Sequence, residues 1–243
     1  MMINNKKKKF CFSEIERHKI VDKGIATLWS EEGKDIVSYL TDERHFTKDV
    51  VKKFQIGYCP NRVQHPLRNR VISPIYDIYN NLIFLSTRIP RTKNAYTFLH
   101  ESISNKGLYL FGIHIALPNI IKTKKAIIVE GEFDVLYLHS QGINIAVAAC
   151  GSALSIFQIT MLLRYCSEIY YVTDGDKAGK SAQERFHTIY DTYNFKSYYD
   201  NYGSNLIGVC MPDNMDPDDY IDQFGKQEFI KYLLKSRDEQ YNI

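Results

Sequence analysis

The apolar positions change period along the chain, and the change separates two kinds of architecture. From Phe12 to about Phe54 they recur at helical spacing, with Ile20, Ile25, Leu28 and Trp29 followed by Ile36, Val37 and Leu40. Thr47 opens another short helix, and Gly57 with Pro60 closes the region. Residues 61–70 read as a basic connector carrying Arg62, His65, Arg68 and Arg70. Two β-rich runs, 71–78 and 82–89, flank Asn80-Asn81 and predict a hairpin. Residues 90–106 read as irregular, with Arg91, Lys93 and Lys106.

After Lys125 strand and helix alternate. Residues 126–129 are a short unbroken apolar run, the pattern of a strand covered on both faces. A helix is predicted over 132–141, a strand over 144–149 and a helix over 154–164. Then come a strand over 169–173, a helix over 178–190, a strand over 206–211 and helix-like segments from Pro217. This rhythm predicts an α/β fold: a doubly wound parallel sheet preceded by a small α+β subdomain. The expected division is a basic flexible N-terminus at 1–12, the α+β subdomain at 13–120, and the α/β domain with its C-terminal helices at 121–243.

Composition narrows the class. With 44% apolar and 24% charged residues, the 243-residue chain is neither disordered, collagen-like nor coiled-coil as a whole. Its net charge of +3 is uneven: residues 6–9 are all lysine, and removing those four from 31 basic residues leaves 27 against 28 acidic. Nucleic acid held by bulk charge would demand more, so phosphate contacts must come from a local patch. Five cysteines, at 11, 59, 150, 166 and 210, include no C-x-x-C pair; no zinc site is expected, and reduced thiols are. The basic N-terminus has no apolar run behind it and is not a secretory signal. Residues 140–163 carry no formal charge, but polar residues and Gly151 divide them into strand, turn and helix rather than a membrane span. A soluble protein is expected.

Ligand sites of open parallel sheets lie beyond the carboxyl ends of the strands. Three predicted strand ends deliver acids there: Glu130-Gly131-Glu132-Phe133-Asp134, Asp174-Gly175-Asp176, and Asp213 with Asp216-Pro217-Asp218-Asp219. In extended chain residues two apart point the same way, so Asp174 with Asp176, and Asp216 with Asp218, are expected to face one point, with Gly175 allowing a tight turn. Two like charges at ~4 Å repel by about 4 kcal/mol at an effective dielectric near 20. A hard cation would relieve that, and carboxylates without His or Cys select Mg²⁺ or Mn²⁺ over zinc. Such a site suits in-line phosphoryl transfer. The run Gly175-Asp176-Lys177-Ala178-Gly179-Lys180-Ser181 imitates a phosphate-binding loop, but it has three residues between the glycines where that loop needs four. Lys177 and Lys180 therefore read as helix residues near the acidic edge.

These motifs, Val129 to Asp134, Thr173 to Gly179 and Asp216-Pro217-Asp218, resemble the Toprim domain in its bacterial, DnaG-type primase form. Upstream, Phe54-Gln55-Ile56-Gly57-Tyr58-Cys59-Pro60, the phrase from Leu67 to Ile75, Leu85-Ser86-Thr87-Arg88 and the phrase from Lys106 to Gly112 are similar to the remainder of that family's RNA polymerase core. The resemblance covers most of residues 20–235 and implies a Toprim-type sheet. It also implies DNA-templated synthesis of short RNA primers from NTPs, on a single-stranded DNA template. It assigns catalysis and metal binding to Glu130, Asp174 and Asp176, with Glu130 also a candidate base for the primer hydroxyl. Asp134, Asp216 and Asp218 would complete the metal cluster. Arg68, Arg70, Arg88, Lys93, Lys106 and Lys177 would face nucleic acid or nucleotide.

The family's Lys-Tyr-Leu-Asn phrase is replaced here by Ala95-Tyr96-Thr97-Phe98, and the connector after Pro60 is short. No zinc ribbon is expected before the core and no helicase-binding domain after it. A replicative helicase or a separate zinc-ribbon protein is the expected partner, in bacterial or phage-infected cytoplasm. Two rivals stay open: a Toprim nuclease using the same carboxylates, and a non-catalytic single-strand-binding or helicase-recruiting module.

Overall fold

The computed structural model describes residues 12–61, 66–92, 95–98, 106–150, 154–195, 197, 203 and 205–241. The basic N-terminal run, Arg62, His65 and Lys93 lie outside the described residues.

Helix α1 (Glu14–Leu28) starts in a reciprocal cap: Ser13 Oγ accepts from the Glu16 N–H while the Glu16 carboxylate accepts from the Ser13 N–H. A 3-10 turn (Glu31–Gly33), α2 (Lys34–Ser38) and a π turn (Tyr39–Glu43) follow, and Thr47 caps α3 (Lys48–Lys53). Strands β1 (Gly57–Cys59), β2 (Arg70–Tyr76), β3 (Leu82–Arg88) and β4 (Ala95–Phe98) then form an antiparallel sheet in chain order. β2 and β3 are the expected hairpin. Its turn is built chiefly by Asp77, whose Oδ1 accepts from the Tyr79 and Asn81 N–H groups while Asn80 takes a left-handed φ of 66°. β4 corrects the reading of residues 90–106 as irregular: Ala95 to Phe98 pair with Arg88 to Leu85. Four residues are too few for a period-2 pattern to stand out.

Helix α4 (Ile113–Thr123) has no counterpart in the sequence reading, because Pro118 sits inside it and proline ordinarily closes a helix. Beyond it the alternation is as expected. β5 (Lys125–Val129), α5 (Glu132–Ser140), β6 (Ala146–Ala148), α6 (Ile156–Leu162), β7 (Glu168–Thr173), α7 (Lys177–Thr192) and β8 (Asn205–Cys210) are followed by α8 (Pro217–Phe224) and α9 (Lys226–Tyr241). The second sheet is parallel throughout, in the order β6-β5-β7-β8.

Side-chain alternation covers that sheet on both faces. Ile127, Val129, Tyr170 and Val172 pack with residues of α5, α8 and α9, while Ala126, Ile128, Ile169 and Tyr171 pack with α4, α6 and α7. The first of these cores continues into Leu28, Leu40, Phe54 and Phe84, so the helical segment and the antiparallel sheet share it. Each such large side chain contributes about 1.5–3 kcal/mol on burial. No helix among the described residues is long and apolar enough to cross a membrane. The chain leaves β5 toward β6 and returns to β7 on the other side, so the crossovers diverge between β5 and β7 and open a crevice at their carboxyl ends.

Candidate active site

The two strands that flank this crevice are followed directly by Glu130 and Asp174. The main-chain N–H of Asp174 donates to Glu130 Oε1 at 3.3 Å, which ties one strand tip to its neighbour. One turn into α5, Asp134 Oδ2 accepts from the Gly131 N–H at 2.9 Å. Asp176 is the N-cap of α7, its Oδ1 accepting from Gly179 at 2.8 Å. Asp216 caps α8 in the same way, its Oδ1 accepting from Asp219 at 2.8 Å. Asp134, Asp176 and Asp216 therefore each satisfy an otherwise unpaired N–H at a helix start. The amino ends of α5, α7 and α8 all carry acids of this edge, and their partial positive charge favours anions there.

Gly175 has no positive φ, so the tight turn expected there does not rest on a left-handed conformation. It is needed for close approach. A Cβ on Gly175 would stand 1.8 Å from the Pro212 carbonyl oxygen, and one on Gly179 would stand 2.0 Å from that of Asp174. Gly175 N–H also donates to Met215 O at 2.8 Å. The turn after β7 is thus packed backbone-to-backbone against the loop after β8.

Glu130, Asp134, Asp174, Asp176 and Asp216 line one cavity of about 810 Å³, together with Arg44, Arg88, Arg91 and Arg185. Asp218 departs from the expected pairing with Asp216. It lies inside the first turn of α8, where the two-residue rule of extended chain fails, and it is buried at 8% exposure with Arg44 Nη2 at 3.3 Å from Oδ2. Of the basic residues expected at the site, Arg88 lines the cavity, whereas Arg68, Arg70, Lys106 and Lys177 do not. Lys180 pairs with Asp213.

Burial and crowding raise the acids. Asp174 is pushed up to about 8, first by burial and then by Asp134, Glu130, Asp216 and Asp176. Asp134 rises to about 7, chiefly by burial, against the Gly131 hydrogen bond that favours its charged form. Asp218 rises to about 9 by burial, with Asp134 and Asp216 adding to it and Arg44 opposing. Glu130 is raised by burial, and the Asp174 N–H partly offsets this. The donor set is all oxygen and short of countercharge, and Asp218 Oδ1 is buried with no hydrogen-bond partner. That chemistry fits a hard divalent cation. Among the described residues no three His, Cys, Asp or Glu side chains are already gathered around one point, so the fit is one of donor type and charge.

Arg44, Arg91 and Arg185 were not assigned to the site from sequence, since isolated arginines in helical or loop segments carry no motif. Arg91 is held by Asp35 and Glu43, at 3.0 and 2.7 Å. The guanidinium groups of Arg44 and Arg88 lie 5.5 and 4.7 Å from the ring centre of Phe133, in the middle of the first acidic motif. Gln183 was also missed: its Nε2 donates to Tyr171 O, Thr173 Oγ1 and Val209 O, clamping the ends of β7 and β8.

Residues 127–221 match the Toprim-like family. Proteins named DNA primase from Rickettsia typhi and Halalkalibacterium halodurans are 27% and 29% identical to the chain, over 83% and 84% of it. The chain spans 38% of the length of each. The catalytic core of the Escherichia coli primase superposes with a TM-score of 0.78 at 24% identity, covering 90% of this chain and 78% of that one. The Aquifex aeolicus primase, with its zinc-binding and RNA polymerase domains, gives 0.72 at 25% identity, over 97% of this chain and 64% of that one. A DnaG primase catalytic domain bound to single-stranded DNA gives 0.76 at 23% identity, over 90% and 79%. The chain thus carries a Toprim-like segment at residues 127–221 within the fold of the DnaG-type primase catalytic core.

Proposed function

We propose that this chain is the catalytic core of a DNA primase, a nucleotidyltransferase that makes short RNA primers from NTPs on single-stranded DNA. One observation carries the reading: Glu130 and Asp174, hydrogen-bonded together at the switch point of the parallel sheet, face a cavity that is also lined by arginines. Residues 121–243 would act as the Toprim catalytic domain. Residues 13–120, through Arg88, would supply the template and nucleotide side, with Arg68, Arg70, Lys93 and Lys106 as further contacts.

Each residue has a task that its position supports. Glu130, Asp174 and Asp176 would hold Mg²⁺ or Mn²⁺, with Asp134, Asp216 and Asp218 contributing negative charge around them. When bound, the ions neutralise phosphate oxygens and lower the cost of the hydroxyl's attack. Glu130 stands at a strand tip, fixed by the Asp174 N–H, and its raised proton affinity suits a base for the primer 3′-hydroxyl. Arg44 and Arg88, steadied on Phe133, would neutralise and orient phosphate. Contact with the Phe133 ring restricts both guanidinium groups, which lowers the entropy lost on binding. A replicative helicase or a zinc-ribbon protein would join it in bacterial or phage-infected cytoplasm.

The test is primer synthesis on single-stranded DNA with labelled NTPs and Mg²⁺ or Mn²⁺. The reading predicts template-dependent products that vanish in Glu130→Gln. Strand shortening without NTPs would replace it with a nuclease.

A further inference from the structure

The two edges of the parallel sheet are closed by different means. On the β6 side Phe111 makes a single antiparallel bridge to Ala148, with main-chain N–H···O distances of 2.9 and 3.1 Å. Beyond β8 no strand pairs among the described residues. The N–H groups of Asn205 and Met211 point inward, to Ser167 O and Thr173 O, so those of Leu206, Gly208 and Cys210 face the open side. Side chains of α9 meet that side. Gln240 Nε2 donates to Leu206 O at 2.8 Å, and its Oε1 accepts from the Gly208 N–H at 3.1 Å. One residue of a parallel fifth strand would make the same two bonds through its main chain. The Tyr241 hydroxyl accepts from the Leu206 N–H at 3.0 Å and donates to Leu206 O at 3.1 Å. The Tyr232 hydroxyl donates to Cys210 O at 2.8 Å. From Tyr232 to Gln240 a helix rises about 12 Å, and from Cys210 to Leu206 a strand covers about 13 Å. Helix α9 therefore runs antiparallel along β8 with its polar groups in step with the strand's. Buried Phe229 and Leu233, and Arg237 on Glu168 at 3.2 Å, fix it there.

We propose that Tyr232, Gln240 and Tyr241 form an edge guard, and that the edge they cover is a latent docking surface for β8 of a second copy of this chain. An edge with unpaired main-chain groups is a template for another strand. Residues 205–210 contain neither a charge nor a proline, so two copies of the segment meet without repulsion. An edge that meets its own copy about a two-fold axis pairs antiparallel, through the same outward groups of Leu206, Gly208 and Cys210 on both sides. The β6 edge is closed by main chain, which substitution leaves in place; the β8 edge is closed by three side chains, which substitution removes. The inference does not depend on the reaction the cavity performs.

The test combines Tyr232→Phe, Gln240→Met and Tyr241→Phe in the full chain, changes that keep side-chain size and remove the hydrogen-bonding groups. Sedimentation is followed across a hundredfold range of concentration, and amide exchange at Leu206 and Gly208 is resolved by NMR. The parent should sediment as one species, with both amides protected at every concentration. In the dilute variant the two amides should exchange about tenfold faster, the scale of one lost hydrogen bond. On concentration the variant should dimerise, and the same two amides should regain protection as it does. A variant that stays monomeric, or that associates while Leu206 and Gly208 remain unprotected, overturns the proposal. So does a parent that already dimerises through β8, since its edge would not be guarded. If thermal melting shows the triple variant unfolded, Gln240→Met is used alone: unchanged exchange at Gly208, or no association on concentration, would then overturn it.

Discussion

The backbone of Asp174 holds the side chain of Glu130: its N–H lies 3.3 Å from Oε1, joining two parallel strand tips 44 positions apart in sequence. The bond steadies one carboxylate without neutralising it, while the neighbouring Asp174 carboxyl is driven toward protonation by burial and by the acids around it. Two acids side by side are thereby given different proton affinities by their surroundings.

Substituting either should separate activity from stability. Glu130→Gln and Asp174→Asn are expected to lower primer synthesis on the order of 10²-fold or more. Without metal and above pH 8, where Asp174 is charged, Asp174→Asn should melt no lower than the parent, because it removes a buried charge from a like-charged group. A lower melting point for Asp174→Asn in EDTA would show that the carboxylate is structural.

The metal-free protein should lose stability as pH rises. Asp134 and Asp174 have folded-state values of about 7 and 8, above their ordinary 3.8. Between pH 4 and 8 the folded chain then binds more protons than the unfolded one, so these groups favour folding at low pH and less so as pH climbs. Melting in EDTA at pH 5.5 and 8 should show this slope, and Mg²⁺ or Mn²⁺ should flatten it.

Gly175→Ala and Gly179→Ala should be among the most damaging single changes. Their new methyl groups would meet backbone oxygens, which cannot rotate aside. A cost of about 3 kcal/mol or more is expected, above the usual range for overpacking. Urea unfolding measures it, and a change within 1 kcal/mol would mean that the loop after β8 (for Gly175) or the turn before α7 (for Gly179) gives way cheaply.

Tyr137→Phe tests the anchoring of α8. The Tyr137 hydroxyl donates to Asp222 on that helix. Its loss should cost about 1–3 kcal/mol and reduce primer synthesis through misplacement of Asp216, in a pattern that raised metal concentration partly rescues.

The sequence made the parallel sheet legible because three of its four strands are apolar runs followed by acids, a pattern few other arrangements produce. Glu130, Asp134, Asp174, Asp176 and Asp216 were found together for that reason. The orientation of Asp218 was misjudged: the helix expected from Pro217 already puts Asp218 in its first turn, where the two-residue rule of extended chain does not hold. Helix α4 was hidden by Pro118, and β4 by its length. Arg44 and Arg185 come to the cavity through tertiary packing, and nothing within a few residues of either announces it. Asp176 and Asp216 carry a second duty as helix caps, which their spacing from the following N–H groups could have indicated.

The bare-backbone seam at Gly175 and Gly179 has an evolutionary corollary. Where the acidic turn sits is decided by main-chain atoms that no substitution alters, while what surrounds it is decided by side chains from remote segments. Descendants of such a chain can exchange those remote arginines, and with them the polymer they handle, while the anionic centre keeps its address.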